Sequence, residues 1–178
     1  GNRSNGIIAS DGARATRIER NLISGNGSGV VLEASPGGDT LVGNWIGVDI
    51  SGGAPLGNRA QGVCPAAGTM GAVIGPDNVI AYNGAFGVLM DPQGVESAIP
   101  VVLMRNRIYA NGDRLFTGGD IGSFVPPRLR VAPPTLRVDA TGVHGAASAS
   151  GAQVEVYAGD RPGELRTYLG TATTGTDG

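Results

Sequence analysis

Apolar residues in this chain come in runs of two to four, and no run keeps helical spacing between residues 1 and 112. Leu22-Ile23, Val30-Val31-Leu32 and Thr40-Leu41-Val42 are typical, each closed by Gly, Asn or Asp. Runs this short and this rich in β-branched residues predict strands. The segments NLISGNGSGVVL (21–32), NVIAYNGAFGVLM (78–90) and NRIYANG (106–112) share the pattern N-x-I-x-x-N-G, and NWIGVDI (44–50) is a diverged copy with Asp49 in the place of the second Asn. Chance would give on the order of 0.01 copies of that pattern, so the recurrence is a repeat. Its first Asn returns after 23, 34 and 28 residues, and Gly6, Gly29, Gly62 and Gly87 mark a second phase that advances with it.

The four Asn-Gly pairs, at 5, 26, 83 and 111, would suit hairpins. Hairpin turns, however, recur every 8–12 residues, whereas here one motif returns only after a full repeat. The period therefore predicts coils of a parallel β-solenoid stacked about 4.8 Å apart. Stacking gives the asparagines a reason, because an amide both donates and accepts and can bond its copy in the next coil. Asn21, Asn44, Asn78 and Asn106 are expected in one ladder and Asn26, Asn83 and Asn111 in another, with Ile23, Ile46, Ile80 and Ile108 as an inward row of the core between them. The in-phase glycines are read as coil corners.

All ten Asn fall at or before Asn111, and two Pro-Pro pairs follow at 126–127 and 133–134. Residues 1–112 are thus read as solenoid, 113–134 as a Pro-rich linker, and 135–178, with period-2 alternation in Val154-Glu155-Val156, as part of an antiparallel β-sandwich. The expected class is all-β. The chain opens within one repeat and closes near a turn, so it is read as a piece of a longer protein.

Composition fits this reading. Thirty-two Gly and 11 Pro supply the corners, and 4% aromatics leave a narrow core of Val, Ile and Leu. All 13 basic residues are Arg, the net charge is -2 and no basic stripe stands out, so nucleic acid is not an expected partner. Apolar runs such as 99–104 are too short to span a membrane. Cys64 stands alone and reads as a buried thiol, and His144 is the single histidine, so neither a disulfide framework nor a transition-metal site is expected.

GNWIGVDISGGAPLGNRAQGV (43–63), AVIGPDNVIAYNGAFGVLM (72–90) and NRIYANG resemble the right-handed parallel β-helix repeat proteins of bacteria, the pectate-lyase-like superfamily. The similarity is to large secreted or surface proteins with a GN-x-IG-x-D-x-x-G-x-x-x-LGN-x-x-x-GV repeat, matched at Gly43, Asn44, Ile46, Gly47, Asp49, Gly52, Leu56, Gly57, Asn58, Gly62 and Val63. VEVYAGDRPGELRTYLGTATTGTDG (154–178) is similar to the Ig-like module that follows the helix in such proteins. The resemblance implies a right-handed β-helix joined to an Ig-like sandwich, and an extracellular or cell-surface location. It does not choose between enzymes, adhesins and passive stalks, which all use this fold.

For chemistry, a polysaccharide-cleaving β-helix needs acids close together on one face, or an acid with Ca²⁺ and an Arg base. Asp49 reads as a substituted ladder position, Asp77 and Asp91 as turn residues, and no two of these share a repeat phase. Arg105 and Arg107 flank Asn106 and point outward, where they could meet an acidic sugar. Trp45, Tyr82 and Tyr109 form a candidate sugar-stacking strip, with shielding of Trp45 by the 47–61 loop as the alternative. No cofactor is expected beyond a Ca²⁺ held by loop carbonyls near Gly37-Gly38-Asp39. The expected function is a non-catalytic scaffold or adhesive segment that binds polysaccharides or cell-surface glycans weakly. The alternatives are the C-terminal part of a carbohydrate-active lyase, hydrolase or epimerase with its catalytic coils upstream, and a self-assembling sheath in which copies stack end to end.

Overall fold

A computed structural model describes residues 1–90, 101–112, 119–123, 135–139, 142–146, 153–160 and 165–173. The described chain is all-β, and no helix in it is long and apolar enough to cross a membrane. Its first coil comprises β1 (Asn5–Ala9), β2 (Arg17–Glu19) and β3 (Leu22–Ile23), and its second β4 (Ser28–Leu32), β5 (Thr40–Val42) and β6 (Trp45–Ile46). The third has β7 (Val63–Pro65), β8 (Ala72–Ile74) and β9 (Val79–Ala81), and the fourth β10 (Phe86–Met90), β11 (Val101–Leu103) and β12 (Arg107–Tyr109). β13 (Gly119–Ser123) follows, then β14 (Thr135–Asp139), β15 (Gly142–Ala146), β16 (Gln153–Ala158) and β17 (Thr167–Thr173).

Every third strand is a neighbour. The sheets run β1-β4-β7-β10-β13, β2-β5-β8-β11 and β3-β6-β9-β12, with all pairings parallel. Three stacked parallel sheets with this order make a solenoid-like fold. β13 pairs with β10 in register Val88↔Ile121, so the stack continues into the span read as linker. Pro126, Pro127, Pro133 and Pro134 lie outside the described residues, as does Asp91. Beyond the stack, β14–β15 and β16–β17 form two antiparallel pairs.

The core is narrow and built in rows. Ile23, Ile46, Ile80 and Ile108 pair in register from coil to coil and are buried. Val30, Val63 and Val88 form a second row, and Ile18, Leu41 and Ile74 a third. One aliphatic side chain per coil, β-branched except at Leu41, fills each row, so few rings are needed.

Gly6, Gly29, Gly62 and Gly87 require a correction. They do not mark corners, since none has a positive φ. They lie at the start of the first sheet, where the neighbouring ladder amide and isoleucine approach the backbone too closely for a side chain. A Cβ at Gly62 would sit 2.7 Å from Asn83 Nδ2, from Ile80 Cγ2 and from the Gly87 carbonyl oxygen. Gly6, Gly29 and Gly87 face the same three kinds of atom, at 2.3 to 3.1 Å. The left-handed corners fall instead one residue before the ladder asparagines, at Arg20, Gly43, Asp77 and Arg105 in one column, and at Gly25, Tyr82 and Ala110 in the other.

Candidate functional site

The asparagines make two directional ladders. In the first, Asn21 and Asn44 each donate from backbone N and from Nδ2 to Oδ1 of the next rung, Asn44 and Asn78, at 2.8–3.2 Å, and Asn78 Nδ2 donates to Asn106 Oδ1 at 2.8 Å. The second hydrogen of Nδ2 goes backward: Asn44 to Ile18 O, Asn78 to Leu41 O and Asn106 to Ile74 O. Each of these three amides thus ties its own coil to the one before.

The second ladder is longer than the sequence suggests. Asn26 donates to Asn58, Asn58 to Asn83, Asn83 to Asn111, and Asn111 to the carboxylate of Asp120. Asn58, and not Asp49, holds the second-coil rung. Asp49 sits in the loop inserted after β6, where its Oδ1 accepts from Ser51 N and Oγ and from Ala54 N. Those donors, the Ser51 hydroxyl first, hold its carboxyl below the usual range. Asp120 ends the ladder for a simple reason: a carboxylate accepts from both Asn111 donors and has nothing to donate onward.

The three rings of the candidate sugar-stacking strip are unequally exposed. Trp45 is exposed over 37% of its surface on β6, but the inserted loop lies on it, and a Cβ at Gly52 would stand 3.2 Å from the indole. The Tyr82 hydroxyl donates to Gly53 O at 3.3 Å, and its ring meets Tyr109 edge-on at 5.7 Å. Tyr109 is only 4% exposed, and burial pushes its phenol up despite Arg107 and Arg166. The loop and the corner therefore take up these rings.

Arg105 and Arg107 are likewise engaged, by the β16–β17 pair. Arg107 Nε donates to Arg166 O at 2.9 Å and its guanidinium stands over Tyr109, while that of Arg105 stands over Tyr168. Both arginines stay exposed, as the outward reading expects, while they contact partners 59 and 63 residues downstream. The Asp77 backbone is left-handed at a corner, and His144 lies on β15 opposite Arg137. Asp39, in the loop considered for Ca²⁺, has a buried carboxylate that accepts from Thr16 N and the Ser35 hydroxyl. Among the described residues no three His, Cys, Asp or Glu side chains converge as metal ligands do.

One surface cleft stands apart from all of these. It has a volume of about 490 Å³ and is lined by Arg3, Ser4, Asn5, Gly27, Ser28, Arg59 and Ala60. The column that follows the second-ladder rungs runs Arg3, Gly27, Arg59 and Gly84, with both arginines exposed and Gly27 packed so closely that a Cβ there would stand 2.6 Å from Arg3 O and 2.7 Å from Ser4 O. The arginines lie two coils apart, about 10 Å at the strand spacing. Sequence reasoning missed this site, although the alternation of Arg and Gly after successive ladder positions is its signal. Two permanent cations beside the hydroxyls of Ser4 and Ser28 suit an anionic, hydroxyl-rich ligand. Comparison with protein-family models, with curated proteins and with solved structures finds no match to this chain.

Proposed function

We propose that the chain is a non-catalytic scaffold segment of an exported bacterial surface protein, a right-handed β-helix of the pectate-lyase-like kind followed by part of an Ig-like module, with weak contacts to acidic glycans. The observation that carries this reading is the use of the repeated polar side chains. The residues that recur in every coil, Asn21 to Asn106 and Asn26 to Asn111, spend their hydrogen bonds on one another and on neighbouring backbone, so the repeat builds a stiff rod. Ligand contacts are left to side chains that differ between coils, and the Arg3–Arg59 cleft is the best placed of them.

Binding there is electrostatic and shallow. Polyuronate or sulfated oligosaccharides should bind with dissociation constants in the high micromolar to millimolar range, about 4 to 6 kcal/mol, and more weakly as salt shortens the Debye length. Calorimetry with the Arg3→Ala/Arg59→Ala variant should show at least about a tenfold loss, since two charge-assisted contacts disappear. Binding that ignores both arginines would remove the cleft from the account. Release of unsaturated or reducing ends by the full-length protein would replace the scaffold with an enzyme.

A further inference from the structure

Three rungs of the second ladder are followed by glycine, at Asn26-Gly27, Asn83-Gly84 and Asn111-Gly112. Arg59 follows Asn58, and Leu22, Trp45, Val79 and Arg107 follow the rungs of the first ladder. Packing and backbone explain the glycines. A Cβ at Gly27 would stand 2.6 Å from Arg3 O and one at Gly84 2.4 Å from Arg59 O, while Gly112 has a φ of 81°. An Asn-Gly pair is also the sequence in which an asparagine most readily loses its amide, because glycine carries no side chain to hinder attack by its nitrogen on the side-chain carbonyl carbon. In that reaction Gly84 N loses its proton and bonds to Asn83 Cγ, the Cγ–Nδ2 bond breaks, and ammonia leaves with the proton. Water then opens the five-membered imide at either carbonyl, which gives aspartate or isoaspartate.

We infer that the second ladder is a lock on three sites of spontaneous deamidation: closed, it prevents imide formation at Asn26, Asn83 and Asn111, and opened, it admits a modification that stops it closing again. The lock has two parts. Attack requires the Asn83 side chain to swing toward its own backbone, but Oδ1 accepts from Asn58 N and Nδ2 while Nδ2 donates to Asn111 Oδ1, at 2.9 to 3.2 Å. Asn26 is held in the same way between Asn2 N and Asn58 Oδ1, and Asn111 between Asn83 and Asp120. The attacking nitrogens are occupied as well. Gly27 N donates to Ser4 O at 2.7 Å, and Gly84 N to Asn58 O and Gly112 N to Asn83 O, both at 2.9 Å. None of the three asparagines is more than 9% exposed, so the water that would hydrolyse the imide is kept out too. Local opening of the ladder is the route that remains. Its product is permanent, because a carboxylate at position 83 meets Asn111 Oδ1, Ala81 O and Ile46 O where an amide had donated. Asn5-Gly6, the fourth such pair, lies on β1 opposite Ser28 and outside the ladder, so the lock does not include it.

Peptide mapping by mass spectrometry tests the lock on the 178-residue chain, incubated near neutral pH both folded and in urea. In urea, Asn26, Asn83 and Asn111 should convert at least about tenfold faster than Asn21, Asn44, Asn78 and Asn106, since only the former precede glycine. Folding should then slow Asn83 by about a hundredfold or more. A variant separates the ladder from burial in general. Asp120→Ala removes the acceptor of Asn111 N and Nδ2 and leaves every rung bond of Asn83 in place. It should speed conversion of Asn111 in the folded chain by about tenfold and change Asn83 by less than about twofold. The wild-type comparison needs no variant and decides alone should Asp120→Ala lose its β circular dichroism. Conversion of folded Asn83 at the urea rate, or an Asn111 rate indifferent to Asp120→Ala in a folded variant, would overturn the proposal.

Discussion

Ile80→Asp should abolish folding of the solenoid at neutral pH. Ile80 is fully buried between Ile46 and Ile108, and its Cγ2 lies against the Gly62 backbone. Removing it forfeits about 2 to 4 kcal/mol of burial and packing, and an unpaired carboxylate adds several more. A total of about 5 kcal/mol or more matches the whole stability of a small domain. Urea unfolding followed by circular dichroism should show no native baseline. Leu22→Asp, one position from the inward row and 44% exposed, is the control and should cost no more than about 1 kcal/mol. A wild-type transition for Ile80→Asp would mean that the row does not face inward.

Asn83→Asp should be nearly as damaging although it changes only an NH₂ to an oxygen. Asn83 is 1% exposed; Oδ1 accepts from Asn58 N and Nδ2, and Nδ2 donates to Asn111 Oδ1, Ala81 O and Ile46 O. The carboxylate keeps the acceptor side and loses every donor, so its second oxygen faces three acceptors in a buried place. A cost of about 3 to 5 kcal/mol at pH 7 follows. The sign with pH is fixed. Burial and facing acceptors raise the carboxyl pKa in the folded state, so the folded chain holds its proton longer than the unfolded one. The variant's deficit is smallest below about pH 4, the unfolded value, and grows as pH rises toward the raised folded value. Asp120→Asn is the mirror experiment, because Asp120 only accepts from Asn111, and it should cost less than about 1.5 kcal/mol. Equal effects for the two substitutions would contradict a directional ladder.

The parallel class of this fold was legible because its signal is a period. Asn21 and Ile23, or Asn78 and Ile80, keep their spacing in each coil whatever the loops between them do. The insert broke that pattern once. Residues between Gly47 and Gly57 separate Ile46 from its ladder partner Asn58, so the regular spacing pointed to Asp49, which the loop uses for its own turn. The role of the glycines was hidden for a different reason. A missing Cβ at a corner and a missing Cβ under a neighbour's amide look alike in sequence, and only the distances at Gly62 tell them apart. The partners of Arg105 and Arg107 come from an antiparallel element with no repeat phase, so spacing carried no trace of Glu155, Tyr157, Leu165 or Arg166. The Arg3–Arg59 cleft falls between: its column is periodic, but arginine alternates there with glycine, so no single repeat carries it.

Methyl NOE spectroscopy on an isoleucine-labelled sample tests the stacked coils most directly. Neighbouring coils lie about 4.8 Å apart and alternate coils about 10 Å. Cross-peaks should therefore link Ile23 with Ile46, Ile46 with Ile80, and Ile80 with Ile108, and none should link Ile23 with Ile80 or Ile46 with Ile108. A spectrum without these contacts, in which each isoleucine meets only residues within a dozen positions in sequence, would describe hairpins and would contradict the stacked parallel coils.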